Sequence, residues 1–169
     1  MAEMEDHYPT FNIIKQNVDG LHKRAGNTNV VELHGNIWRA KCIKEGRIID
    51  FYDVPLKEIP PRCECGSLIR PDVVWFGEAI PIKEVKRAFS LAEECEVMLV
   101  VGTSALVQPA ANLPFVAKAN NALMIEINIG LTPVSNIADV SLFGKAREIL
   151  PEIWRKVKKP KEVMGNPIK

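Results

Sequence analysis

The stretch that decides the fold is QNVDGLHKRAGNTNVVELHG, residues 16–35, whose polar ends each follow a short apolar segment. Residues 11–14 (FNII) precede its Gln-Asn-x-Asp opening, and residues 30–33 (VVEL) precede its closing His34-Gly35 pair. Both apolar segments are predicted strands, so the polar residues stand at strand C-terminal ends, where open α/β sheets bind ligands. Imidazole exchanges protons near neutral pH, which makes His34 a candidate general base. A lone histidine after a strand is nevertheless more often structural, so other motifs must decide between the two interpretations.

Composition limits the classes of function. The chain has 169 residues, about one domain, with 47% hydrophobic and 25% charged residues. A net charge of +1 does not favour a nucleic-acid partner. No apolar run approaches the roughly 20 residues that span a membrane. The N-terminus is acidic and polar, unlike an export signal, so we expect a cytoplasmic protein whose four cysteines are metal ligands or reduced thiols.

The second half of the chain predicts alternating strands and helices. Residues 97–101 (VMLVV) are a continuous apolar run, typical of a strand buried on both faces of a parallel sheet. The other predicted elements are helices at 2–7 and 82–94, a helical stretch between Ser104 and Lys118, strands at 122–127 and 138–143, and a helix at 145–157 interrupted at Pro151. The predicted fold class is α/β with a parallel sheet and crossover connections.

Residues 36–72 differ in character, because they hold three of the cysteines and four prolines without a long amphipathic period. Such a segment buries little apolar area alone, so we interpret it as a small insertion that needs an additional cross-link to be stable. Cys42 lacks a second cysteine close behind it, and the Cys63-Glu64-Cys65 pair has one intervening residue instead of two. The fourth ligand of a zinc site would be a carboxylate such as Glu45, a water, or none, and a site that has lost its metal is the alternative. Cys95 is interpreted as a core thiol.

Two further motifs allow more than one interpretation. Gly102-Thr103-Ser104 follows a predicted buried strand and suits a ribose or phosphate, helped by the N-terminus of the next helix, although the same residues also form ordinary helix caps. Asn128, after the next strand, would add a polar group nearby. Residues 73–78 (VVWFGE) predict an extended segment, interpreted either as core or as an edge strand that pairs with a peptide.

Taken in order, several motifs resemble those of the sirtuins, a family of NAD-dependent protein lysine deacylases. They are QNVDGLHKRAG, ELHG, the reduced cysteine knuckles, GSLIRPDVVWFGE, VVGTSALVQPAA, IEIN and GKAREILP, and together they cover residues 11–154. The reduced first knuckle is similar to a bacterial and archaeal subgroup. The resemblance implies a partial Rossmann-like NAD-binding sheet of the sirtuin and deoxyhypusine synthase type over residues 1–35 and 73–158. It also implies a small zinc module at 36–72 and a tail at 159–169.

The resemblance implies a role for each matching position. His34 would be the general base that deprotonates a ribose hydroxyl of NAD. The cofactor would be lined by Gln16, Asn17 and Asp19 at nicotinamide and its ribose, Gly102, Thr103 and Ser104 at ribose and phosphate, Asn128 at the adenosine ribose, and Ala146 at adenine. The acyl-lysine peptide would be contacted by Val74, Trp75, Phe76, Gly77, Glu78 and Val107. Cys42, Cys63 and Cys65 would hold a structural zinc.

The chain also departs from the family pattern. No glycine-rich GAGxS-type segment precedes residue 11, so we expect the N-terminal part of the catalytic domain to be missing, with weak NAD binding, little deacylase activity and self-association through exposed apolar strands. The alternative is a non-catalytic remnant that acts as a peptide-binding module. Lys15 stands where relatives usually carry threonine, and Gly130 where they often carry a carboxylate. Either change could affect cofactor binding.

Overall fold

The computed structural model describes residues 1–158, so the predicted tail at 159–169 lies outside the described residues. The chain divides into two compact units, residues 1–91 and the unit that begins at Ala92. The first unit contains helices α1 (Ala2–His7) and α2 (Leu21–Arg24) and strands β1 (Ile13–Lys15), β2 (Val30–Glu32), β3 (Gly35–Cys42), β4 (Ile48–Asp50) and β5 (Ile69–Val73). Helix α3 (Ile82–Glu94) runs across the division, with the bounds that the sequence predicted.

The second unit contains strands β6 (Val97–Val101), β7 (Leu123–Asn128) and β8 (Val140–Phe143), helices α4 (Leu113–Ala119) and α5 (Ala146–Val157), and 3-10 turns at Ala110–Asn112 and Pro133–Asn136. None of the helices within residues 1–158 has the length and apolar character needed to cross a bilayer.

The strands predicted at residues 11–14 and 30–33 are present as β1 and β2, and the two pair in parallel. Ile13 lies opposite Val30, and Lys15 lies opposite Glu32. The loop after β1 and the turn after β2 therefore leave the same edge of this pair, because the two strands run in the same direction. The Gln-Asn-x-Asp loop and His34 are thus placed together by the strand register.

A buried carboxylate ties β1, α2 and β3 together. Glu32 forms ion pairs with Lys15 and Lys23 at 3.2 Å each and with Arg39 at 2.8 Å, and it accepts a hydrogen bond from Asn36 at 2.8 Å. Burial raises the pKa of Glu32, but the hydrogen bonds from Asn36 and Lys15 outweigh it and leave the pKa below its ordinary value. The carboxylate is therefore charged at neutral pH.

Residues 36–72 form most of a three-stranded antiparallel sheet in the order β4-β3-β5, which the sequence did not predict. Its core is the buried cluster Ala40, Cys42, Cys63 and Ile69, against which Ile49 and Phe51 pack. Two of these four buried residues are cysteines. A core this small does not require the long amphipathic period that residues 36–72 lack. Strand β5 ends at Val73, so only the first residue of the extended segment predicted at 73–76 lies in a strand.

The parallel sheet of the second unit has the order β6-β7-β8. Met124, Glu126 and Ile127 of the central strand are fully buried, as expected for a strand covered on both faces. The prediction of two-face burial is wrong for β6, the outer strand, where Val97 is 52% exposed. Glu126 accepts hydrogen bonds from the hydroxyls of Thr132, Ser135 and Ser141, which join the turn after β7 and strand β8 to β7.

Two helix predictions need correction. Helix α5 is continuous through Pro151, because the proline removes only one N–H donor and the acceptor that it leaves, four residues earlier, belongs to the exposed Arg147. No helix follows Ser104 directly. Helix α4 begins only at Leu113, preceded by the 3-10 turn at Ala110–Asn112, so the anion-binding helix end expected behind Ser104 is absent there.

We predict that Glu32→Gln lowers the free energy of unfolding by about 3 kcal/mol, because it leaves the buried ammonium of Lys15 without its carboxylate partner. Urea denaturation followed by circular dichroism measures this. Glu93→Gln, at an exposed position of α3, is the control and should change stability by less than about 0.5 kcal/mol. Equal effects of the two substitutions would contradict the role of Glu32.

The same group predicts a pH dependence. Because folding lowers the pKa of Glu32 from 4.5, its contribution to stability is complete above that pH. The contribution is lost as the pH falls through the lower folded-state value. The acid-side loss of stability should therefore be shallower in Glu32→Gln than in the native chain, and parallel curves would contradict this.

Candidate active site and metal centre

His34 lies in the tight turn between β2 and β3 and is held on two sides. Its Nδ1 is 3.1 Å from the carbonyl oxygen of Gln16, and its own carbonyl oxygen accepts the N–H of Val74 at 3.0 Å. A carbonyl only accepts, so Nδ1 must carry the proton and Nε2 of the neutral ring holds the lone pair. The half-buried ring is thus oriented as a proton acceptor.

The loop before His34 is fixed by Lys15. The Lys15 side chain is 4% exposed, and its Nζ donates to the carbonyl oxygen of Asn17 at 2.8 Å while pairing with Glu32. Lys15 stands where relatives usually carry threonine, and its ammonium is bonded to a loop and a strand of the first unit. Lys15 therefore stabilises the backbone whose Gln16 carbonyl orients His34.

Asp19 serves the local fold as well as the candidate site. Its Oδ1 accepts the N–H of Leu21 at 3.0 Å at the start of α2, and its carbonyl oxygen accepts Nε1 of Trp38 at 2.8 Å. Gly20 has a φ of +71°, and a Cβ there would lie 2.9 Å from the Trp38 ring. The Gln-Asn-x-Asp loop is thus packed against β3, with Asn17 exposed.

Gly35 is required by a close approach of the backbone. Its φ is +80°, and a Cβ there would lie 2.1 Å from the carbonyl oxygen of Asp72. A glycine beside a candidate base can serve to let a ligand approach the backbone. The neighbour is instead the protein's own strand, since Gly35 pairs with Val73 in the β3–β5 ladder.

Residues 74–78, predicted to pair with a peptide as a strand, form a turn. Glu78 N–H donates to the carbonyl oxygen of Trp75 at 2.9 Å, and Trp75 N–H donates to the Glu78 carboxylate at 3.0 Å. The Trp75 amide and then Arg70 hold the pKa of Glu78 below its ordinary value. Trp75 is 57% exposed and Phe76 is fully exposed, so the turn presents two aromatic rings and Gly77 on the surface.

In the second unit the predicted cofactor residues lie at the C-terminal ends of the parallel strands. Asn128 Nδ2 donates to the carbonyl oxygen of Thr103 at 2.7 Å, and Thr103 Oγ1 accepts the N–H of Ala105 at 3.1 Å. Gly102 has a φ of +61° and open space where a Cβ would stand, and Ser104 is exposed. The structure therefore joins the Gly-Thr-Ser loop to Asn128 at one edge of the sheet.

Two more predicted residues lie in this unit. Ala146 is the first residue of α5, just after Gly144, whose N–H donates to the Asn128 carbonyl oxygen at 2.8 Å. Val107 lies in the loop after Ser104, 44% exposed, and its carbonyl oxygen accepts the N–H of Ala111. The hydrogen bond from Gly144 to Asn128 thus links the ends of β7 and β8. Val107 is accessible to solvent.

The predicted zinc ligands come together in the first unit. One ligand atom each from Cys42, Cys63, Cys65 and Glu45 lies within 4.8 Å of the others. The backbone amide of Cys65 and the guanidinium of Arg47 lower the pKa of Cys63 to about 7, which favours its thiolate. Thiolates are the ligands that zinc prefers in structural sites, so the donor set fits that metal.

Sequence reasoning missed the two buried carboxylates, Glu32 and Glu126. Each stands inside a short apolar strand, in VVEL and in MIEIN, where a charged residue is unusual unless it is paired. A glutamate inside an apolar strand was thus the sequence signal that could have identified these two residues. The partners could not be read from the sequence, because Arg39 and Ser141 come from other strands.

The profile of the Sir2 family matches residues 1–109. The NAD-dependent protein deacylase of Aquifex aeolicus (strain VF5) is 51% identical over 155 residues, which cover 91% of this chain and 65% of that protein. A solved Sir2 homologue in complex with NAD is 44% identical with a TM-score of 0.88, covering 93% of this chain and 62% of that chain. A solved structure of Sir2 with a p53 peptide and NAD+ is 31% identical with a TM-score of 0.84, covering 93% of this chain and 67% of that chain.

The chain therefore belongs to the Sir2 family, and its fold is the Sir2 fold. The resemblance read from the motifs is confirmed. The chain spans just under two thirds of the length of the curated relative from Aquifex aeolicus.

We predict that Gly35→Ala destabilises the first unit far more than Gly46→Ala. Both glycines have positive φ, but a Cβ at Gly46 meets open space whereas one at Gly35 meets the Asp72 backbone. The cost should be about 1–2 kcal/mol for Gly46→Ala from φ alone. Gly35→Ala should cost at least about 2 kcal/mol more, since the β3–β5 ladder must shift. Denaturant titration measures both, and equal costs would exclude the close approach.

Proposed function

We propose that the protein carrying this sequence is an NAD-dependent protein lysine deacylase, which converts acyl-lysine, NAD and water to lysine, nicotinamide and O-acyl-ADP-ribose. The observation that carries the proposal is the orientation of His34, whose Nδ1–H donates to Gln16 and whose Nε2 is left as the proton acceptor. Membership of the Sir2 family and the deacylase names of its relatives support it. The direct test is to measure nicotinamide release and lysine formation from NAD and an acetyl-lysine peptide.

In this proposal, Nε2 of His34 accepts a proton from a ribose hydroxyl. The Gln16 carbonyl stabilises the resulting imidazolium, because a carbonyl dipole favours the positively charged ring at Nδ1. Lys15 and Glu32 hold the loop that supplies this carbonyl. When bound, NAD supplies the ribose carbon that the acyl-lysine oxygen attacks as nicotinamide departs.

The residues proposed to hold NAD follow from the strand ends. In the first unit, Gln16, Asn17 and Asp19 lie in the loop after β1. In the second unit, the open space at Gly102 admits a ligand to the backbone, and the hydroxyls of Thr103 and Ser104 and the amide of Asn128 suit ribose and phosphate oxygens. Ala146, at the start of α5, is proposed to lie against adenine. Gly130 offers no carboxylate for the ribose.

The substrate is proposed to be an acyl-lysine peptide or protein. The turn at residues 74–78 and the exposed Val107 are the proposed contacts, supported by the two exposed aromatic rings of the turn. A related Sir2 has been solved with a p53 peptide, which is the kind of ligand proposed. Because residues 74–78 form a turn, pairing with an extended peptide would require these residues to become extended.

The proposed domain division places residues 36–72 in a separate module and residues 1–35 and 73–158 in the NAD-binding domain, supported by the antiparallel sheet β4-β3-β5. Cys42, Cys63 and Cys65 are proposed to hold a structural zinc. Three clustered free thiols also support the proposed cytoplasmic location, where cysteines remain reduced. Self-association is proposed from the exposed Val97, Leu123 and Phe143 at the sheet β6-β7-β8, and light scattering tests it.

We predict that His34→Ala lowers kcat/KM for deacylation by about 10²–10⁴-fold, because the proton acceptor is lost. Steady-state rates of nicotinamide release measure this, with circular dichroism as the check on folding. His7→Ala, at an exposed position of α1, is the matched control and should leave the rate unchanged. Full activity of His34→Ala in a folded protein would remove His34 from this role.

We predict that Asn128→Ala raises the KM for NAD about tenfold, the effect of losing one to two hydrogen bonds. The substitution removes the amide, which donates to Thr103 and is proposed to bind the cofactor. Asn120→Ala removes an amide that donates to the Val116 carbonyl at the end of α4, and it should leave the KM unchanged. An unchanged KM for NAD in Asn128→Ala would contradict the assignment.

A further inference from the structure

The two turns that carry the cysteines are closed by similar hydrogen bonds, although the first turn has one more residue than the second. In the second turn, the N–H of Cys63 donates to the Ser67 carbonyl at 2.7 Å, and the N–H of Gly66 donates to the Cys63 carbonyl at 2.8 Å. In the first turn, the N–H of Cys42 donates to the Arg47 carbonyl at 2.9 Å, and the N–H of Gly46 donates to the Cys42 carbonyl at 2.9 Å. Each turn thus begins at a cysteine and closes around a glycine.

The two glycines are equivalent in conformation as well. Gly46 has a φ of +68° and Gly66 a φ of +79°, and a Cβ at either position would meet open space. The residue before each glycine therefore has the same position relative to that glycine, three residues after Cys42 in the first turn and two after Cys63 in the second. In the second turn this residue is Cys65, and in the first turn it is Glu45.

The side-chain atoms agree with this equivalence. The ligand atoms of the four residues lie within 4.8 Å of one another, and the Cys42 and Cys65 sulfurs are 3.6 Å apart. A tetrahedral zinc with Zn–S bonds of about 2.3 Å has sulfurs about 3.8 Å apart. The Glu45 backbone N–H also donates to the Cys42 sulfur at 3.4 Å, which holds the main chain of residue 45 beside the cluster.

We propose that Glu45 is the fourth protein ligand of this metal site, giving a three-thiolate, one-carboxylate centre for zinc. The carboxylate supplies the negative charge that a fourth thiolate would have supplied, so the net charge of the metal centre is unchanged. Arg47 donates to Cys63 at 3.4 Å and to Glu64 at 2.8 Å, which places one cation beside this anionic centre. Glu64 is directed to Arg47 and lies outside the four-residue cluster.

A carboxylate is a harder ligand than a thiolate, and Glu45, like Cys65, is exposed whereas Cys42 and Cys63 are buried. We therefore expect the bond between the metal and the Glu45 oxygen to dissociate before the bonds to sulfur. The site should hold zinc more weakly than a four-thiolate version of itself, while the fold of the module stays the same.

The experiment compares the native protein with Glu45→Ala, Glu45→Cys and the control Glu64→Ala. Zinc affinity is measured by competition with a chromophoric chelator, and thiolate number by the sulfur-to-cobalt charge-transfer absorption of the Co²⁺ forms. Glu45→Ala should weaken zinc binding by about 10–100-fold or more, the range seen when even supporting groups of metal sites are removed. Glu45→Cys should tighten binding and increase the charge-transfer absorption. Glu64→Ala should leave both close to native values.

X-ray absorption of the zinc forms adds a readout of the ligands themselves. The native site should show three sulfurs at about 2.3 Å and one oxygen at about 2.0 Å, and Glu45→Cys should show four sulfurs. The proposal is overturned if Glu45→Ala binds zinc as tightly as the native protein. It is also overturned if Glu64→Ala weakens binding equally, or if Glu45→Cys adds no sulfur. These readouts do not depend on deacylase activity, so they stand apart from the proposed function.

Discussion

The first unit depends on one buried carboxylate. Glu32 stands in a three-residue strand and faces cations from β1, α2 and β3. A charged group buried to this degree is stable only when it is paired, so the three elements that supply its partners are held in one arrangement. Strands β1 and β2, with three residues each, are too short to fix that arrangement through backbone pairing alone.

The orientation of His34 follows from this constraint. Lys15 satisfies Glu32 and the Asn17 carbonyl at once, and the next carbonyl back along the loop, that of Gln16, accepts from the imidazole. On its other side, His34 is held by Val74 after β5, and the approach of Asp72 to Gly35 keeps that strand close. The candidate base is thus positioned by strand pairing and ion pairs.

The cysteine module shows how a segment without a recognisable period still folds. Its buried cluster has only four members, two of which are the candidate ligands Cys42 and Cys63. A core of this size stabilises little by apolar burial, so a bound metal would supply part of the folding free energy. The repeated turn geometry around Gly46 and Gly66 gives the metal site a regularity that the uneven cysteine spacing conceals.

The sequence by itself determined the family, strands β1, β2, β6, β7 and β8, helix α3 and the identity of His34 and the three cysteines as site candidates. Motif order and apolar runs carry that information locally. Only the tertiary structure decided what Lys15 contacts, that residues 74–78 form a turn, that β6 is an outer strand, and that Glu45 corresponds to Cys65. Each of these depends on a partner distant in the chain or on a backbone conformation. Residue type and spacing constrain neither, because the same letters are compatible with several pairings until the strands are in register.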